Sequence, residues 1–163
     1  MVELKPIHKE AIPRSLDKAE LYRLLNEPEQ AESICRDILR IDAENQTALI
    51  TLVLALTDQF DKGLPVDRAR EYLSRLHGEY ERAYYAGIIC ERKGRAVLHQ
   101  ALPGAEFAAY DWLRDAMSWY EKAEALRPPG NDDATLRWNA CVRTIRDRNL
   151  VPRSEESSFT TSE

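Results

Sequence analysis

The sequence predicts an all-α protein, and three observations carry that reading. Apolar residues recur at spacings of three and four from residue 15 to about residue 148, and few segments alternate strictly as a half-buried strand would. Pro, Gly and Asn interrupt this pattern at intervals that leave only short connections, so neighbouring helices must pair as antiparallel hairpins. The 163 residues are 44% hydrophobic and 31% charged, with only 6 Gly and 8 Pro, which describes one folded domain rather than a disordered or collagen-like chain.

Residues 1–14 read as an N-terminal extension. Seven principal helices are expected after it, near residues 15–25, 28–41, 45–60, 65–77, 79–93 or longer, 105–127 and 132–148. Ser15 is the N-cap candidate of the first, whose Leu16, Ala19, Tyr22 and Leu25 share one face until Asn26-Glu27-Pro28 breaks it. Pro28 opens the second, where its missing N–H would be unpaired anyway, and Ala31, Ile34, Cys35, Ile38 and Leu39 form its stripe. Asp42 to Asn45 end that helix. The third carries Ala48, Leu49, Leu52, Val53 and Leu56, and it holds the longest stretch without charge, residues 45–57, so it reads as a buried helix.

Asp61-Lys62-Gly63-Leu64-Pro65 separates it from a fourth helix with Ala69, Tyr72, Leu73 and Leu76. Gly78 marks a turn into the fifth, with Ala83, Tyr84, Gly87, Ile88 and Cys90, and Gly94 reads as the next turn. Between about 95 and 115 the pattern lengthens into an insertion punctuated by Pro103-Gly104. The sixth helix runs uninterrupted to Leu126 and is closed by Pro128-Pro129-Gly130. Asn131 or Asp132 then caps a seventh with Leu136, Trp138, Cys141, Val142 and Ile145. Residues 149–163 turn to Ser, Thr and Glu without periodicity and are expected to be a disordered tail, because they bury too little to offset their ordering entropy.

An internal repeat is visible. Ala31, Cys35 and Leu39, followed by Ile41-Asp42-Ala43, line up with Ala116, Tyr120 and Glu124, followed by Leu126-Arg127-Pro128, and Ala69, Leu73 and Leu76 share the same start. The pattern resembles the tetratricopeptide repeat, a helix pair of about 34 residues. In that family a small residue begins the packing face of the second helix, a large one follows a turn later, and an Asp-Pro-like corner leads onward. Ala19 and Tyr22 match the first helix of such a pair, as does Gly87 in the third hairpin. The chain departs from the family in its spacing, which is longer than the repeat in the second and third units. Ala43 replaces the corner Pro, and no Trp opens a first helix. The resemblance covers residues 15–128. It implies a tetratricopeptide-like α-α superhelix of about three hairpins, with the last helix as a cap whose outward polar side is Arg137, Arg143, Arg146, Asp147 and Arg148.

Composition narrows the function. With 23 Lys+Arg against 28 Asp+Glu, the formal charge of −5 opposes nonspecific phosphate binding, so a nucleic-acid partner is not expected. No stretch approaches the ~20 apolar residues of a membrane span, and Met1 to Pro6 lacks the apolar region of a signal peptide. Three scattered cysteines, Cys35, Cys90 and Cys141, make no disulfide framework, and a reducing cytoplasm is the expected setting. His8, His77 and His99 share no metal-ligand spacing, and no GxSxG, GxxxxGKS or GxGxxG element is present. Neither metal, cofactor nor catalysis is expected. Cys90, beside Ile88 and Ile89, reads as a small core residue rather than a nucleophile.

The resemblance implies a binding surface. In tetratricopeptide proteins the first helices of successive repeats line a concave groove that holds peptides or partner helices. Carried over by position, Leu16, Glu20, Arg23, Leu24, Thr47, Ile50, Thr51, Leu54, Thr57, Tyr84, Tyr85, Ile88 and Arg92 lie near it. Family members that grip a terminal carboxylate use Lys, Asn and Arg on the groove floor. Leu16, Glu20 and Thr51 stand there in this chain, so no such clamp is expected. Ile50, Leu54 and Ile88 read equally well as ordinary core.

The sixth helix has an unusually wide apolar face, formed by Trp112, Leu113, Ala116, Met117, Trp119, Tyr120 and Ala123. Either Val97, Leu98, Ala101 and Leu102 fold back over it, or a second chain does, since Trp and Tyr are enriched in interface cores. The local cover costs less loop-closure entropy, which makes a monomer the expectation and a homodimer the alternative. The function expected is thus a non-catalytic module binding a protein or peptide. The alternatives are a homo-oligomeric structural protein that uses the Trp112/Trp119 face and a small all-α enzyme.

Overall fold

The computed structural model describes residues 1–154. Among them are seven α-helices and no strand: α1 (Ile12–Leu24), α2 (Pro28–Ile41), α3 (Gln46–Thr57), α4 (Val66–Arg70), α5 (Glu79–Gln100), α6 (Ala105–Leu126) and α7 (Asp133–Asp147). Three short 3-10 turns, Lys9–Ala11, Phe60–Lys62 and Leu73–Arg75, stand between them. Each helix packs chiefly on its neighbours in the chain, α1 on α2, α2 on α3, α3 on α4 and α6 on α7, and the α5–α6 pair makes the most extensive interface. α1 and α5 also both touch α3.

The third helix behaves as its composition requires. Ala48, Leu49, Leu52, Val53, Ala55, Leu56 and Thr57 are all buried, so α3 is enclosed around most of its circumference. Its first turn is capped by Asn45, whose Oδ1 accepts from the Ala48 N–H at 2.9 Å. α2 buries the expected Ala31, Cys35 and Ile38 together with Pro28 in its opening turn.

The start of α1 departs from expectation. The helix begins at Ile12, with Pro13 in its first turn, and the 3-10 turn before it already sets the direction of the chain. Ser15 lies inside the helix and caps nothing, because the fixed φ of Pro13 suits a first turn.

The fourth helix is much shorter than the predicted 65–77. After five residues it passes into the 3-10 turn Leu73–Arg75. Side chains from elsewhere take the main-chain groups that a longer helix would have paired. Gln46 donates to the Arg75 carbonyl at 3.2 Å and accepts from the His77 N–H at 2.9 Å, while Arg82 donates to the carbonyls of Leu76 and His77 at 2.7 and 3.0 Å.

Residues 95–115 are the end of one long helix and the start of the next, an extended hairpin. α5 runs without a break to Gln100, ends at Ala101 in the left-handed region (φ 53°), and returns through Gly104 (φ 79°) directly into α6. Gly94 is therefore a mid-helix contact rather than a turn. A Cβ there would sit 3.2 Å from Cβ of Trp112, and one at Gly87 would sit 2.5 Å from Cε1 of Tyr120. Two glycines two turns apart thus let α6 approach closely, and α6 answers with Ala109, Ala116 and Ala123, each fully buried. Tyr120 and Leu113 fill the space between.

The last turns of α5 cover part of the wide α6 face: Val97 and Leu98 are half-buried against its core, whereas Ala101 and Leu102 are exposed and cover nothing. The tail also begins later than expected. Leu150 is only 5% exposed and packs with the α5–α6–α7 core, and the Arg153 guanidinium lies 5.2 Å from the Phe107 ring centroid. From residue 155 onward the disordered-tail expectation lies outside the described residues. No helix among the described residues is long and apolar enough to cross a membrane.

Candidate functional site

Two adjoining cavities of about 490 and 400 Å³ share Arg23, Arg92 and Arg95 and together form one groove. α1 supplies Glu20, Arg23 and Leu24. The end of α3 supplies Leu54, Thr57 and the capping residue Asp58. α5 supplies the long wall: Tyr84, Ile88, Glu91, Arg95 and His99 recur at three and four, with Tyr85 and Arg92 beside them, so helical geometry alone aligns them. Arg137 reaches in from α7.

Two carboxylates organise the floor. Asp58 stands between two guanidiniums: Arg23 donates to it from Nε at 2.8 Å and from its terminal nitrogen at 3.3 Å, and Arg92 donates at 3.0 Å. This junction ties α1, α3 and α5 together. Glu91 is only 2% exposed. Its Oε1 accepts from the Tyr120 hydroxyl at 2.9 Å and from Nε of Arg137 at 3.1 Å, and its Oε2 accepts from Nε of Arg95 at 2.9 Å and from the terminal nitrogen of Arg137. Every lone-pair direction of a buried carboxylate is thereby used.

The electrostatics follow from these contacts. Burial pushes the Glu91 carboxyl upward, but the hydrogen bond and charge of Arg137, joined by those of Arg95, outweigh it and hold the group below its ordinary value. The same bond, acting against desolvation, raises Arg137 further. Burial, reinforced by the Asp133 charge, pushes the Tyr84 phenol up to about 12, and burial likewise raises Tyr85. Near neutral pH Glu91 is therefore ionised against a charged Arg137, and the Tyr84 and Tyr85 phenols stay protonated.

Of the thirteen residues placed near the groove from the sequence, Glu20, Arg23, Leu24, Leu54, Thr57, Tyr84, Tyr85, Ile88 and Arg92 line it. Leu16, Thr47, Ile50 and Thr51 do not. Leu16 packs with the small cluster of Ile12, Ile38 and Ala48, Thr47 is exposed at the start of α3, and Thr51 is half-buried outside the groove. Ile88 combines both readings, lining the groove at 7% exposure while belonging to the core.

Sequence reasoning missed Asp58, Glu91, Arg95, His99 and Arg137. For the α5 residues a signal exists, because 91, 95 and 99 continue the Tyr84–Ile88 face, but reading Gly94 as a turn hides it. Arg137, expected on the outward polar side of the cap, reaches inward instead, where it supplies the counter-charge to Glu91 on α5. The clefts contain no assembled metal site: among the described residues no group of three or more His, Cys, Asp or Glu is placed to hold an ion.

No family model matches this chain. Neither a curated protein nor a solved structure matches it significantly.

Proposed function

We propose that the chain is a non-catalytic interaction module, a tetratricopeptide-like stack of about three helix hairpins with α7 as its cap, that holds a peptide or protein partner in the groove. One observation carries this reading: the groove is lined by α1, α3 and α5, the first members of the pairs α1–α2, α3–α4 and α5–α6. The pairing of each helix mainly with its chain neighbours supports the stack, as does the burial of Ala19, Ala31, Ala69 and Ala116. Half-exposed guanidiniums and tyrosine rings over an aliphatic floor of Leu54 and Ile88 are groups that recognise a polypeptide through charge-assisted hydrogen bonds and ring contacts. The three cysteines are free and buried, which supports a reducing, cytoplasmic setting.

The test compares capture by the intact chain with capture by an Arg92→Glu/Leu24→Glu variant, quantified by mass spectrometry. Leu24 is 79% exposed, and Arg23 still pairs with Asp58 when Arg92 is replaced, so circular dichroism of the variant should match the wild type and is recorded alongside capture. At least one protein should bind the wild type and fall about tenfold on the variant, roughly 1.4 kcal/mol. Equal capture by both chains would refute the groove as the binding surface.

A further inference from the structure

The opposite side of α5 carries a second cleft. At 3.6 residues per turn, Glu79, Arg82, Ala83 and Ala86 stand across the helix from Tyr84, Ile88, Glu91 and Arg95. With Arg70, Leu73 and Ser74 on one side and Trp119 and Lys122 of α6 on the other, they enclose about 590 Å³. The cleft exists because α4 stops at Arg70: the segment that replaces it leaves part of the α5–α6 face uncovered.

From this geometry we propose that the cleft docks an acidic partner segment, one large apolar side chain with Asp or Glu on either side of it. The floor is small, since Ala83 and Ala86 are buried and bear only methyl groups, and the wall is the Trp119 indole, 38% exposed. A single Leu, Phe, Met or Trp side chain fits that combination of flat ring and shallow floor.

The rim decides the flanking residues. Arg70, Arg82 and Lys122 face one acid, Glu79, in a chain whose formal charge is −5. Among the described residues neither Arg82 nor Lys122 has a carboxylate within ion-pairing distance. The one acid paired with Arg70, Asp67, is 3.8 Å away and 93% exposed. Arg70 and Lys122 instead lie over tryptophan rings, 5.3 Å from Trp112 and 5.4 Å from Trp119. The rings hold these cations in place, and since among the described residues Arg70 has only the exposed Asp67 and Lys122 no carboxylate partner, the rim favours an anionic partner and disfavours a basic one. The cleft is separate from the groove, so this inference stands or falls independently of the groove's role.

The probe is a displayed library of random twelve-residue peptides, selected on the intact chain after subtraction against a Trp119→Ser/Lys122→Glu variant. Both substituted side chains lie on the surface, and circular dichroism and thermal melting of the variant should match the wild type. Lys122→Gln, which only removes the charge, serves as the milder second variant. Surviving peptides should share a large apolar residue flanked by Asp or Glu. Their affinity, read by fluorescence anisotropy, should fall about tenfold on Trp119→Ser and on Lys122→Glu, by less on Lys122→Gln, and also with rising salt, while Arg92→Glu in the groove leaves it unchanged. An absence of survivors, survivors without acidic residues, or binding indifferent to both single variants would overturn the proposal. So would a dimer of this chain that dissociates on Lys122→Glu, since a second copy would then be the occupant.

Discussion

Replacing Glu91 with Gln removes one negative charge from the centre of the α5–α6–α7 packing while keeping nearly the same shape. In the wild type the carboxylate is 2% exposed and accepts four hydrogen bonds, from Tyr120, Arg95 and twice from Arg137. Removing one partner of a buried ion pair ordinarily costs about 3–5 kcal/mol, because the other charge stays behind uncompensated. The guanidiniums of Arg95 and Arg137 are 41% and 38% exposed, so water takes up part of that cost and about 2–3 kcal/mol remains. For a domain of this size that corresponds to a melting temperature lower by roughly 4–12 °C.

The pH dependence supplies an independent check. Because the folded Glu91 carboxyl is held below its ordinary value of 4.5, its contribution is fully present above that pH and is lost as pH falls through the lower folded value. The stability gap between wild type and Glu91→Gln should therefore be constant from pH 8 to about pH 5 and close below pH 4.5. Urea unfolding followed by circular dichroism at several pH values measures it. Equal stability at pH 7, or a gap that persists unchanged to the lowest accessible pH, would refute the reasoning.

Two further outcomes are expected. Gly87→Ala should lower the unfolding free energy read from urea titration by about 1–2 kcal/mol even though Ala is the better helix former by ~1 kcal/mol, because its Cβ would meet the Tyr120 ring at 2.5 Å and that ring is tied to Glu91 by its hydroxyl; a stabilised variant would remove the close α5–α6 approach. Iodoacetamide at pH 8 should leave Cys35, Cys90 and Cys141 unmodified in the native chain and alkylate all three in urea, since burial raises all three thiols, Cys35 and Cys141 to about 12. Rapid native labelling of Cys141 would contradict the packing of α7.

Periodicity within the chain determined that the protein is helical, roughly where most of its helices lie and much of what α2, α3 and α6 bury, although Trp119 of the expected α6 face is exposed. These properties depend on residues three or four apart, and such neighbours are adjacent in the sequence whatever the rest of the molecule does. Ala31, Ala116 and the uncharged α3 were legible for that reason, whereas the half of the groove that was anticipated came from the resemblance to the repeat family and not from periodicity.

Tertiary structure alone decided the remainder. The length of α4 depends on Gln46 and Arg82, which bond the chain beyond Arg70 from other elements. The continuation of α5 past Gly94 depends on α6, whose Trp112 and Leu113 fill the space that makes a glycine useful there. The inward turn of Arg137 depends on a carboxylate 46 residues earlier in the chain. A charged residue carries no local mark of the partner it will find. Its direction is set by the cost of leaving a distant buried charge unpaired, and that cost arises only once the helices have come together.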